Sequence, residues 1–265
     1  MKDVFMHKKI AIFMILLAVA VIIGCSGEPT GNVTNEFNVR GMLFHDLNNN
    51  NSFCYAVVLN EGQPISSLVS YIVTGPEDSL QLDPIGGGAY LTPERELDLD
   101  PDSSYYFWAG EEFGPFFFSK QLKIADTFKV VITNLPPTRE YAASGPVAIS
   151  WNPPSDDFGY FVTVVPPSDD VEPYAQFVNS TNQWAIPYDA FTTSEGVRVP
   201  GKYLIYVIAY YQTFYSDAIV NNSEHIFFPY PVSGFTDNID LVDVNGRMGA
   251  ATASYLDSVI VVEQP

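Results

Sequence analysis

After residue 36 no stretch of this chain shows sustained helical periodicity, and strand signals recur every 8–15 residues. Runs rich in Val, Ile, Thr, Tyr and Phe fall near 37–44, 53–59, 67–73, 88–92, 95–100, 104–109, 115–122 and 127–134. A second series falls near 145–151, 159–165, 174–179, 182–187, 202–211 and 256–263, with Gly, Pro, Asn and Asp clusters between the runs. Many short strands with turn punctuation leave a sandwich or a barrel as the architecture. The fold class expected is all-β and antiparallel. Leu135-Pro136-Pro137-Thr138 separates the two series and suits a hinge, giving expected domains at 37–136 and 137–265.

In Val147-Ala148-Ile149-Ser150-Trp151, Val147, Ile149 and Trp151 share one face, so a half-buried strand ends there on a large aromatic. Asn152-Pro153-Pro154-Ser155-Asp156-Asp157 breaks it, and Tyr160, Val162 and Val164 resume the inward phase. Trp-x-Pro-Pro-Ser-Asp followed by Tyr-x-Val-x-Val resembles the B–C region of fibronectin type III domains. Pro200-Gly201-Lys202-Tyr203 before Leu204 to Tyr211 resembles the entry to their F strand. The family joins F to G by a short hairpin, whereas here an insertion of about 212–256 intervenes. In the first half, Leu99-Asp100-Pro101-Asp102-Ser103-Ser104-Tyr105 has the spacing of the type III tyrosine corner. That resemblance implies a tyrosine hydroxyl closing on upstream backbone. Val39 to Asn48 resembles the opening strand of prealbumin-like repeats of bacterial surface proteins, which leads into a calcium loop. Both resemblances imply Ig-like antiparallel sandwiches.

The N-terminus has the layout of an export signal. Lys8 and Lys9 precede an unbroken apolar run from Ile10 to Ile23, which is 14 residues. A membrane span needs roughly 20, and the run matches the roughly 7–15 residues of a secretory signal core. Ile22-Ile23-Gly24-Cys25 ends it and resembles the lipobox of bacterial lipoproteins. The resemblance implies a signal peptide over 1–24, lipidation (palmitate among the acyl chains) at Cys25, and a tether over 25–36. Several chains make such an anchor effectively permanent, whereas one holds only marginally. Ser26, by analogy with Gram-negative families, implies sorting to the outer membrane, facing the periplasm or the cell surface.

The formal charge is −19, and the segment before Cys25 carries a net +2, so the processed chain stands at −21. That excludes a nucleic-acid binder working through phosphate neutralisation. With Cys25 acylated, Cys54 is the one other cysteine, expected as a buried thiol between Phe53 and Tyr55. Asp46, Asn48 and Asn50 recur at every second position, an oxygen-donor spacing that suits Ca²⁺. An EF-hand is excluded because its twelfth position is Val57, and an Asn-rich turn is the alternative. Asp98, Asp100 and Asp102 alternate with Leu97 and Leu99, as on a strand with a solvated acidic face. Pro-Pro-Ser-Asp-Asp at 153–157 and 166–170 marks acidic turns.

Catalysis has little to rest on. Beyond Cys25 the histidines are His45 and His225, and neither a Gly-x-Ser-x-Gly elbow nor His-Glu-x-x-His occurs. No catalytic residue and no resident cofactor other than the candidate calcium is expected. The strand at 203–211 is apolar on both faces, so both must be covered. The 212–256 insertion, the other domain or a partner could supply the cover. Trp108, Tyr206 and Tyr210 are the candidate ligand-binding aromatics if part of that surface is open. The reading that follows is a non-enzymatic, lipid-anchored envelope protein acting as an interaction or assembly module with a protein or glycan partner. A carbohydrate-binding lipoprotein and a structural spacer are the alternatives.

Overall fold

The strand pattern is realised as eighteen strands among the described residues, which in this computed structural model are 37–48, 51–65, 68–73, 78–93, 97–100, 103–111, 116–142, 145–152, 158–178, 181–220 and 235–263. The first half carries β1 (Phe37–Asp46), β2 (Asn51–Asn60), β3 (Gln63–Pro64), β4 (Leu68–Val73), β5 (Ser79–Gly86), β6 (Ala89–Leu91), β7 (Tyr105–Glu111) and β8 (Phe116–Leu122). The second carries β9 (Val130–Ile132), β10 (Glu140–Tyr141), β11 (Val147–Trp151), β12 (Phe158–Val165), β13 (Tyr174–Val178) and β14 (Gln183–Ile186). It continues with β15 (Gly201–Tyr211), a short helix α1 (Ser216–Val220), β16 (Ile239–Leu241), β17 (Val244–Ala253) and β18 (Asp257–Val261). Residues 1–34 group separately from the body Asn35–Pro265 and lie outside the described residues.

In the first half, β1, β2 and β6 form one layer and β4, β7 and β8 the other. Strand β5 passes between them. Ser79–Leu82 pairs with β4, Asp83–Gly86 pairs with β6, and a register shift falls between Pro84 and Gly86. A proline has no N–H for a ladder, so Pro84 suits the place where the strand changes partner. Val39, Leu43, Cys54, Val58, Ile72, Tyr90, Tyr105 and Phe107 fill the space between the layers. In the second half, β9, β11 and β14 face a sheet ordered β13-β12-β15-β18-β10. Val147, Ile149 and Trp151 point into that core with Tyr160, Val162 and Val164, the phase the alternation implied. The architecture is all-β and fibronectin type III-like in each half.

Two tyrosine corners hold the crossovers. The Tyr105 hydroxyl donates to Asp100 O at 2.9 Å and accepts from the Asp100 N–H, as the Leu-x-Pro spacing implied. The Tyr203 hydroxyl donates to Val199 O at 3.0 Å, and burial pushes its pKa up to about 12. Leu97 and Leu99 are buried while Asp98 and Asp100 are exposed, but this segment is not a strand. Its Asp100 backbone is tied to the corner instead.

The insertion is where sequence and structure part most. It contains β17, which pairs in parallel with β1 at all ten positions, from Phe37↔Val244 to Asp46↔Ala253. Its last four residues also pair with β15, from Ile208↔Ala253 to Tyr211↔Ala250. One sheet therefore runs from the first half into the second through β1, β17 and β15. Glycine permits the close approach. Gly246 has φ +125°, and a Cβ there would lie 2.0 Å from Val39 O. A Cβ on Gly41 would lie 2.5 Å from Tyr55 O and 2.6 Å from Met248 Sδ.

The insertion also covers the outer face of β15. Phe161, Tyr206 and Ile208 are buried there against Phe214, Ala218 and Ile219 from the segment after β15, and against Met42, Phe44 and Phe53 from the first half. A large apolar side chain stabilises by about 1.5–3 kcal/mol on full burial, so this third cluster contributes on the scale of the two sandwich cores. The cover expected for a two-faced strand is internal.

Candidate functional site

Cys25 and Asn50 lie outside the described residues. Asp46 closes β1 and is buried at 2% exposure, and Asn48 follows in the turn, half-buried. Asp46 Oδ1 accepts from the Asn48 backbone N–H at 3.0 Å and from Asn48 Nδ2 at 2.9 Å. Asn48 Nδ2 also donates to Ser254 O at 2.9 Å, while Asn48 Oδ1 accepts from the Leu256 N–H at 2.7 Å. Ser254 Oγ in turn accepts from the Val207 N–H at 2.9 Å. These groups surround the break at Ser254–Leu256, where the chain leaves β17 and re-enters the sheet as β18.

Parallel pairing explains the convergence. β1 and β17 run the same way in register, so the turn after Asp46 and the break after Ala253 are brought side by side. The broken ladder leaves backbone groups that need partners, and Asn48, carrying both a donor and an acceptor, supplies two. Sequence reasoning grouped Asp46 with Asn48 by spacing. The partners at 254–256 were invisible to it, since no local pattern links positions so far apart.

His45, beside Asp46, is buried, and its Nδ1 is hydrogen-bonded to Ser52 Oγ at 2.8 Å. Burial lowers the His45 pKa, and the Asp46 and Asp98 carboxylates partly offset the fall. The pair has the separation of a nucleophile and a base. However, His45 and Ser52 are register partners on adjacent strands, each 6% exposed, so the hydroxyl presents almost no surface to a substrate. Cys54 is a buried free thiol whose pKa burial raises, which keeps it protonated and unreactive. Among the described residues no three His, Cys, Asp or Glu side chains converge as a metal group would need.

The candidate aromatics are placed differently from one another. Trp108 is half-buried on β7. Tyr206 is 1% exposed and Tyr210 9% exposed, both inside the third cluster, which corrects the expectation that they could line an open binding face. Tyr210 packs edge-on to Phe177, Phe214 and Phe235 with centroids 5.2–6.1 Å apart, and its ring lies over Gly159, where a Cβ would fall 2.3 Å from Cζ. Trp184 is also half-buried, its Nε1 donating to the Tyr174 hydroxyl at 3.0 Å. A feature that sequence reasoning missed is Arg198, held between the rings of Tyr141 and Tyr188 at 5.1 and 5.2 Å from their centroids. Its Nη1 donates to Ala142 O at 3.0 Å. Tyr141 lies far from the other two in sequence, and nothing local signals the stack.

Taken together these features define a double β-sandwich of fibronectin type III-like build, antiparallel as expected except where β1 pairs with β17 and β10 with β18, with a polar centre beside the ladder that joins its two halves. No family model and no curated protein matches the chain. Among solved structures it is similar to a chain titled as a cytokine receptor complex, at 11% identity over 84% of this chain and 95% of that one, with TM-score 0.31. A second chain so titled has 14% identity over 64% and 89%, with TM-score 0.28. A two-domain fibronectin type III segment from chicken tenascin has 14% identity over 60% and 84%, with TM-score 0.24. The fold assignment rests on the strand order and the two tyrosine corners.

Proposed function

We propose that this chain is a non-enzymatic, lipid-anchored envelope protein that acts as an interaction or assembly module. The observation that carries the reading is where the N-terminal segment enters the body. Phe37 begins β1, and β1 is hydrogen-bonded on both sides along its whole length, antiparallel to β2 and parallel to β17. A chain held at Cys25 transmits any pull directly into a strand that two neighbours retain. That is a sound attachment point for a module held at a surface.

Further support comes from the chemistry. The polar groups of this centre, Asp46, Asn48, Ser254 and the His45–Ser52 pair, bond to one another and to backbone. The processed chain's charge of −21 suits solubility outside the cytoplasm and gives no grip on nucleic acid. The glycan alternative loses Tyr206 and Tyr210, which are enclosed, and keeps only the half-buried Trp108 of its three candidate aromatics. Outer-membrane placement, facing the periplasm or the cell surface, follows the analogy at Ser26.

Mass spectrometry of the mature N-terminus tests the anchor. The expected product begins at Cys25 and carries acyl chains on its sulfur; an unmodified cysteine or a retained signal refutes it. Crosslinking in native membranes followed by capture of the chain tests the module. A stoichiometric envelope protein is the expected partner, and turnover of a glycan or peptide substrate by the purified chain would overturn the non-enzymatic reading.

A further inference from the structure

The end of the first half where β1 begins carries exposed aliphatic side chains on two of its turns. The Phe37 N–H donates to Asp243 O at 2.9 Å, so the β16–β17 hairpin tip touches the point where the N-terminal segment enters. Leu241 pairs with Val244, which leaves Val242 and Asp243 as a two-residue loop. Such loops favour Asn, Asp and Gly, yet here Val242 is 58% exposed and Leu241 before it 49%. On the other side of β2, Ile85 is 54% exposed just before the glycine turn whose Gly88 O accepts the Val58 N–H at 2.8 Å. Leu241 and Val242 therefore sit against the entry of β1, and Ile85 lies at the same end of the sheet three strands away on β5.

The length of chain before that strand says what lies opposite. Eleven residues separate Cys25 from Phe37, and a fully extended chain covers at most about 3.3–3.6 Å per residue. An acylated Cys25 thus keeps this end within about 40 Å of the bilayer, while β1 carries the chain away from it toward Asp46. We propose that the Leu241–Val242 tip seats in the headgroup region of the bilayer that holds Cys25. This rests on the lipid-anchor reading above. The contact needs little intrinsic affinity, since tethering makes it intramolecular. Its chemistry is selective as well. Asp240 and Asp243 bracket the two aliphatics and Glu61 is exposed in the neighbouring turn, so a zwitterionic surface is favoured and an anionic one repels.

The test uses the full chain, processed in a lipoprotein-exporting bacterium and reconstituted into phosphatidylcholine vesicles. Single nitroxides are attached at Val242→Cys and, as a distal control, at Glu195→Cys. Cys54 has no exposure and does not label, as the unsubstituted chain checks. Seating predicts a several-fold higher ratio of oxygen to aqueous nickel-chelate collisions at 242 than at 195, falling when phosphatidylglycerol replaces part of the lipid. Equal aqueous access at both positions, with acyl chains confirmed on Cys25 by mass spectrometry, overturns this inference and leaves the anchor standing. Absence of acyl chains overturns both. A nitroxide at 242 shielded from oxygen and chelate alike places protein there instead and overturns the lipid assignment.

Discussion

Asn48 and Leu256 are joined by a 2.7 Å hydrogen bond from the Leu256 N–H to Asn48 Oδ1, across 208 residues of sequence. The same side chain donates to Ser254 O, so one amide satisfies both sides of the break between β17 and β18. Each such bond contributes about 0.5–1.5 kcal/mol net, and leaving a buried partner unmet costs more. Asn48→Ala therefore lowers stability by about 2 kcal/mol. For a body of this size that is roughly 4–8 °C in Tm, read by differential scanning calorimetry. Asn48→Asp recovers little, because a carboxylate accepts from Leu256 but cannot donate to Ser254. An Asn48→Asp protein as stable as the parent would show that the Ser254 bond contributes nothing.

The same bonds set an expectation for calcium. Asn48 has one side-chain oxygen, and it is engaged with Leu256, while Asp46 Oδ1 holds Asn48 twice. A cation drawing on Asn48 Oδ1 and Asp46 Oδ1 competes for those oxygens with the Leu256 and Asn48 N–H donors. Millimolar calcium is therefore expected to leave Tm unchanged, and Asp46→Ala to lower Tm equally with calcium and with chelator. A calcium-dependent rise that disappears in Asp46→Ala would establish Asp46 and Asn48, with Asn50, as a metal site.

Gly246 tests whether the two halves depend on their shared ladder. A methyl there meets Val39 backbone at 2.0 Å and occupies φ +125°, so β17 must move away from β1. Strain of that φ and the overlap each cost on the order of 1–3 kcal/mol. Gly246→Ala is expected to destabilise by about 3 kcal/mol or more. Hydrogen exchange should show the loss concentrated in β1 and β17, with Trp151 and its neighbours in the second core less affected. Uniform loss throughout the body would mean that the ladder and both cores unfold as one unit.

What the sequence disclosed followed the range of the interactions concerned. Strand alternation is a local signal, and it placed Val147, Ile149 and Trp151 inward, while the Tyr105 corner was legible through the resemblance of Leu99 to Tyr105 to the type III motif. Strand β5 was missed because Pro84 and three glycines read as turn, although the strand uses that stretch to change sheets. β17 was missed because Gly246, Gly249 and its alanines mimic a linker; the two glycines are what its close approach to Val39 of β1 and to Thr213 requires. The polar centre was half legible. Asp46 and Asn48 stood out by spacing, but Ser254 and Leu256 reach them only through a ladder that the sequence conceals. Tyr206 and Tyr210 were misjudged for the same reason, since their cover comes from the insertion and from β1.

His45 makes the junction sensitive to acid. Its pKa is lowered in the folded protein, mainly by burial, with Asp46 and Asp98 the charged groups that oppose the shift. The unfolded chain takes up a proton near the ordinary histidine value of about 6.5, before the folded protein does. Unfolded molecules then bind more protons, so stability rises with pH across that interval. The contribution is complete above about pH 6.5 and is lost progressively as pH falls toward the folded value. His45→Gln keeps a hydrogen-bonding group toward Ser52 without the titration, so the slope of stability against pH between about 5 and 7 should flatten. Urea unfolding at half-unit pH steps measures it, with His45→Gln and the parent compared at each step. Parallel slopes for the two proteins would assign the acid sensitivity to the carboxylates alone.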